Sequence, residues 1–215
     1  VARFSVAGGK SKIVSGVLLS CILVGGGLGI AAWQGAFAEG RGDIGAGDVC
    51  PNVSPRENVA EIFHSVLPKY SSYSFSSRVE PGRDLFASWC DVYGGKGKGR
   101  KYLVSFYAHP TATDSWIEVR DGEIVQGEYG EGLEPFAAGA RAWVGPRMAV
   151  IGMTCWKKKT AKPEMNRLVA TVTAKMPLAT EHDKSVSALK KLAIGFAREV
   201  HREAKCEWPS RLPEG

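Results

Sequence analysis

Charge is what the start of this chain lacks. No charged side chain of either sign lies between Ile13 and Trp33, and no Asp or Glu precedes Glu39. A solvated loop does not stay uncharged and apolar for that long. At a helical rise of 1.5 Å the 13–33 run reaches about 31 Å, the hydrocarbon thickness of a bilayer. Arg3, Lys10 and Lys12 precede it and no cation follows until Arg41, an asymmetry that puts the N-terminus in the cytoplasm and the rest outside. Ala36-Phe37-Ala38 offers the alternative of a signal peptide cleaved after Ala38 and a secreted product. Leu18-Leu19-Ser20-Cys21 is a poor lipid-attachment site, because an apolar stretch follows the cysteine where a polar tether would be needed.

Catalytic signatures are missing too. The four histidines (64, 109, 182 and 201) form no H-E-x-x-H, and the chain has no G-x-S-x-G. His201-Arg202-Glu203 has the H-x-E of a zinc deaminase, but no P-C-x-x-C follows it. Ser187-Ala188-Leu189-Lys190 fits S-x-x-K without the S-D-N that penicillin-binding enzymes require. No cysteine spacing is C-x-x-C, which removes zinc-ribbon and thioredoxin readings. No metal, no cofactor and no catalytic residue is therefore expected, and an enzyme is the less favoured class.

What is present is an even set of cysteines on the outer side. Cys21 lies in the apolar run, and Cys50, Cys90, Cys155 and Cys206 follow. Four cysteines in an extracytoplasmic setting read as two disulfides. Pairing Cys50 with Cys90 and Cys155 with Cys206 ties a helix terminus to a strand twice. Cys90 with Cys155 and Cys50 with Cys206 is the symmetric alternative. The formal charge of +6 includes the three leading cations, so the outer part carries 25 basic against 22 acidic side chains and does not argue for nucleic acid.

Five regions follow: a cytoplasmic basic segment (1–12), a transmembrane helix or signal core (13–33), a Gly-rich tether (34–49), an extracytoplasmic domain (50–208) and a tail (209–215). The tether includes Arg41-Gly42-Asp43, a tripeptide common enough to arise by coincidence. Ser54-Pro55-Arg56-Glu57 reads as a capping box opening a first helix, with an apolar stripe at Val59, Ile62, Phe63, Val66 and Leu67 before Pro68. Asn52-Val53-Ser54 also fits a glycosylation acceptor. Strand-like runs cover 72–80, 85–93, 102–109, 140–144, 148–156 and 167–175. Residues 116–120 and 123–125 are predicted to form a hairpin about Asp121-Gly122. A second helix starts near Thr180, with Asp183 as a capping partner, and ends near Cys206.

The fold class is thus α+β, a largely antiparallel sheet flanked by two amphipathic helices. At an uninterrupted offset of 65, Val79-x-Pro81 aligns with Val144-x-Pro146, Cys90 with Cys155, and Leu103-Val104 with Leu168-Val169, so the sheet is expected to contain two duplicated three-strand units. With four outer cysteines, two of them in strands, behind an apolar leader, the chain resembles small membrane-anchored or secreted four-cysteine proteins of actinobacteria. That resemblance implies a compartment and a fold class and no chemistry.

Two basic loops are the candidate binding residues: Lys96, Lys98, Arg100 and Lys101 in one unit, and Lys157, Lys158 and Lys159 in the other. Gly94 and Gly99 have the spacing of a phosphate loop, but Arg100 and Lys101 stand where Lys and Ser/Thr belong, and a strand follows instead of a helix. If both loops gather on one side of the sheet they could hold an anionic surface. The expected role is a non-catalytic envelope module, bound to the membrane through its N-terminal helix, that takes an anionic envelope polymer or a protein partner. The rival is a small wall-acting hydrolase using Glu123, Glu128, Glu131 or Glu134.

Overall fold

The computed structural model describes residues 40–82, 86–112, 115, 118, 120–122, 129, 130, 132–156 and 166–214. The predicted membrane span and the cleavage site at Ala38 lie outside these residues. The compact unit starts at Arg41.

Helix α1 (Arg56–Val66) buries Val59, Ala60, Phe63 and Val66, four positions of a 3.6-residue stripe. Its N-cap is Pro55 and no side chain caps it, so the capping box expected at Ser54 does not form. Ser54 instead turns its carbonyl toward Gly195 of the second helix, where any Cβ would collide with it. Helix α2 (His182–Glu203) also lacks a side-chain cap, starts after Glu181, and ends before Cys206.

Seven antiparallel strands form one sheet: β1 (Tyr73–Glu80), β2 (Ala87–Gly94), β3 (Lys101–Thr111), β4 (Glu134–Pro135), β5 (Arg141–Val144), β6 (Met148–Thr154) and β7 (Arg167–Ala174). Their order is β1-β2-β3-β7-β6-β5-β4, two three-strand meanders joined through β3 and β7 with β4 added to the outer edge. The uninterrupted offset of 65 is not kept within this sheet. Cys90 pairs with Phe106, 16 positions on, whereas Cys155 bonds to Asn166, 11 positions on. Glu118 and residues 120–122 are helical, which overturns the Asp121-Gly122 hairpin.

One face of the sheet meets both helices. There Cys90, Val92, Val104, Phe106, Ala149, Ile151, Met153, Ala170 and Val172 pack with Phe63, Leu189, Phe196 and Val200 in a single core. Phe106 lies between two rings, 6.1 Å from Phe63 and 5.4 Å from Phe196. Disulfides join Cys50 to Cys90 and Cys155 to Cys206, so each meander is tied to the chain at one end of a helix.

Both domain boundaries extend further than the composition suggested. Of the tether expected over 34–49, Ile44 and Val49 are buried, and Arg41 donates to the carbonyls of Phe63 and Leu67 at the end of α1. That contact also ties down the Arg of the adhesion-like tripeptide. The tail expected over 209–215 is docked as well. Gly139 donates to the Arg211 carbonyl, Arg198 to that of Pro213, and Leu212 packs on the core. Asn52 is fully buried and its amide bonds Ser88 and Trp89, so it is not available as a glycan acceptor.

Candidate functional site at one end of the sheet

The β2–β3 turn carries four exposed cations on a backbone that glycine makes possible. Gly95 and Gly97 have φ of +83° and +56°, values a side chain rarely adopts. Gly94 is needed for another reason, because a Cβ there would run into the ring of Tyr70. Lys96, Lys98, Arg100 and Lys101 project from this turn into solvent.

They do not stand alone. The Arg100 guanidinium lies 3.6 Å from the centre of the Tyr93 ring. Tyr93 stacks on its cross-strand partner Tyr102 at 5.0 Å and 19°. Lys175, just past β7, places its ammonium 5.8 Å from the Tyr102 ring and 5.1 Å from that of Tyr129. The Arg147 guanidinium, in the β5–β6 turn, lies 4.2 Å from the centre of the Tyr129 ring. Cations and rings thus alternate along the end of the sheet, from Arg100 through Tyr93, Tyr102, Lys175 and Tyr129 to Arg147. A cation over an aromatic face is worth about 0.5–1 kcal/mol at an exposed site, which biases Arg100, Lys175 and Arg147 toward these positions with donors left over. Arg147 uses part of its fork on the carbonyls of Ala174 and Lys175.

Among the described residues, the acid beneath this row is Asp91, and it is occupied. Asp91 accepts from the Tyr102 hydroxyl at 2.6 Å and from Ser105 at 3.1 Å. Burial, and then the bond to Asp91, push the Tyr102 phenol well above its ordinary pKa, so it stays a neutral donor. Among the described residues none of the six cations is paired with a carboxylate. The result is an end of the sheet with positive charge held on aromatic rings.

The strands that carry the second basic loop are rooted at the other end of the sheet. Lys157, Lys158 and Lys159 lie outside the described residues, but the strands that lead to them fix where the loop is rooted. Thr154 pairs with Arg167 and Arg167 pairs with Thr111, at the far end of β3 from Lys101. Ten strand residues at about 3.3 Å each separate the two roots by roughly 33 Å. Antiparallel pairing of β3 with β7 forces this, because matching hairpins of the two meanders must then point in opposite directions. Sequence reasoning missed Arg147, Lys175, Tyr93, Tyr102 and Tyr129 as site residues because they are single residues on five separate segments. The strand order is what brings Lys175 to Tyr102.

The carboxylates of the rival reading do not assemble among the described residues. Glu134 is exposed in the edge strand β4, while Glu123, Glu128 and Glu131 lie outside. A groove of about 510 Å³ between α1 and α2 has Val59, Ile62, Ile194 and Gly195 in its walls and Glu61, Glu214, Lys191 and Arg198 at its rim. Glu61 and Glu214 are both exposed to solvent. A second polar cluster is structural: buried Asn52 donates to buried Ser88, which donates to Glu203 at 3.4 Å.

Comparison of the chain with protein-family models, with curated proteins and with solved structures finds no match to any of them. The functional reading therefore rests on geometry.

Proposed function

We propose that this chain is a non-catalytic module of the cell envelope, held to the membrane by residues 13–33, with an extracytoplasmic domain that binds an anionic envelope component. Two disulfides support an oxidising compartment, since such bonds rarely persist in a reducing cytosol. The observation that carries the binding role is the set of six cations at one end of the sheet, three of them over tyrosine rings, with Asp91 beneath them already hydrogen-bonded. Arginine and lysine meet anionic oxygens by charge, and rings that pre-order the cations reduce the entropy lost on binding.

Full-length protein in uncharged detergent micelles tests the reading. Titration with polyglycerol phosphate, and separately with phosphatidylglycerol mixed into the micelles, is expected to show binding of at least one. That binding should weaken as salt rises from 50 to 200 mM and vanish in the K96Q/K98Q/R100Q/K101Q variant. Binding of neither probe, or binding that ignores both salt and variant, overturns it. The membrane assignment has its own check: mass spectrometry of the native product should find residues before Ala38 attached in the membrane fraction. A soluble form starting at Glu39 would convert the anchor into a signal peptide.

A further inference from the structure

The chain enters the domain at the same end of the sheet as the cation–tyrosine row. Gly42 donates its backbone N–H to the Tyr70 carbonyl at 2.8 Å, and the Tyr70 ring lies on Gly94, at the base of the basic turn. Gly95 in turn donates to the Ser72 carbonyl, and the Tyr70 hydroxyl reaches Met176, next to Lys175. Residues 40–42 are therefore seated beside the β2–β3 turn, not at the Arg167 end.

Only residues 34–40 separate the apolar run from this entry point. At the maximal extension of about 3.5 Å per residue, seven residues span roughly 25 Å. A chain that short keeps the entry point within roughly 25 Å of a bilayer holding residues 13–33, and the row shares that end of the sheet. We infer that the cation–tyrosine row docks on the anionic lipid headgroups of the membrane in which the chain is itself anchored. This rests on the proposed function and names its ligand. The side-chain chemistry suits that occupant. Lysine and arginine beside a membrane are drawn to its anionic headgroups, and tyrosine favours the headgroup region, where one end of the ring is wet and the other apolar. A soluble wall polymer would not need the row to be at the entry end, whereas a headgroup surface does.

Lysine footprinting of the full-length chain in vesicles distinguishes these occupants. The protein is reconstituted into neutral phosphatidylcholine vesicles, or into vesicles with 30% phosphatidylglycerol, and labelled with a water-soluble amine-reactive ester before peptide mass spectrometry. Labelling of Lys96, Lys98, Lys101 and Lys175 is expected to fall several-fold in the anionic vesicles and to recover at 0.5 M salt, while Lys191 and Lys205 label equally in both. In the R100Q variant, which changes an exposed side chain, the difference at Lys175 should shrink, with an unchanged thermal midpoint showing that the fold is intact. Equal labelling in both lipids overturns the headgroup assignment. If added polyglycerol phosphate then protects the same lysines, anion binding stands and the occupant is a polymer. If it does not, the proposed function falls as well.

Discussion

The two meanders follow the same path through the sheet and are finished differently. In β1–β3 one face packs on the helices and the other is half-open, and β2 alternates buried and partly exposed residues along its whole length. In β5–β7 both faces are covered, and β6 and β7 are almost entirely buried. The second face there is closed by Trp143, Met148, Val150 and Val169, with Tyr129 and Leu133 packed against them. An antiparallel strand solvated on one side reads as an alternating sequence, and a strand covered on both sides reads as a continuous apolar run. ASWCDVYG and MAVIGMT show the two cases in one molecule. The open half can spend its outer face on tyrosines, a tryptophan and cations. The closed half is a brace, and the candidate site forms at the seam between them.

Removing the disulfide from either half should cost the most stability. The Cys50–Cys90 and Cys155–Cys206 bonds close loops of sequence separation 40 and 51. In the chain-entropy model each is worth about 4 kcal/mol, so C50A/C90A and C155A/C206A should cost similar amounts in chemical denaturation. A loss confined to one pair would mean that the halves do not unfold together. Next in size is the covered face. Met148 is 1% exposed, and Met148→Ala should cost about 3 kcal/mol through lost burial and the cavity left behind. Tyr93→Ala, on the open half, should cost about 1 kcal/mol, the scale of one stacked pair and one cation contact. Equal losses at the two positions would erase the distinction between an open and a closed half.

Much of the fold was legible because local chemistry and tertiary placement agree. All six strands that alternate or run apolar in the sequence form, as do both helices with amphipathic stripes. The failures have identifiable causes. Ser54-Pro55 reads as a cap, yet close packing against Gly195 sets the course of the chain there, and α1 starts without a side-chain cap. Asp121-Gly122 is a strong turn signal, overridden by a local helix. The Gly-rich 41–49 stretch looks like a linker, because Ile44 and Val49 are too widely spaced to show a period, although both are buried. The candidate site was half legible. A cluster of four cations in one turn is visible in any sequence, whereas the partners Arg147 and Lys175 depend on β7 lying beside β3.

Helix packing offers a test of intermediate size. A side chain at position 195 would meet the Ser54 carbonyl, so Gly195→Ala should destabilise by about 1–2 kcal/mol in spite of alanine's better helix propensity. A gain in stability would show that α1 and α2 can separate without cost. Smaller still is neutralisation of the basic turn. K96Q/K98Q/R100Q/K101Q should change stability by less than about 1 kcal/mol, because exposed charges contribute little to folding, while the binding it tests is abolished. A large drop in thermal midpoint would make these cations structural and remove them from the site.

The smallest expected effect lies at the opposite end of the sheet, where the acid is part of the structure and not of the site. Glu203 is half-buried at the end of α2, and its carboxyl is held above the ordinary carboxylate range, first by that burial and then by the charge of Glu199. Arg202, which pairs with Glu199, and the Ser88 hydroxyl oppose the shift without cancelling it. A carboxyl whose pKa is higher in the folded chain than in the unfolded one favours the fold when protonated. Below the unfolded value both states carry the proton and there is no penalty. As pH rises through the unfolded and then the folded pKa, the folded chain is left with a charge it holds less well than water does, and stability falls. Glu203→Gln removes that charge and can keep the Ser88 contact, since its amide oxygen accepts as the carboxylate did. The variant should therefore be slightly more stable than wild type at pH 7, with a difference that disappears toward pH 4 in paired thermal melts. A variant that is less stable at pH 7, with a deficit that shrinks toward pH 4, would show that the ionised carboxylate supports the Asn52–Ser88 cluster instead of straining it.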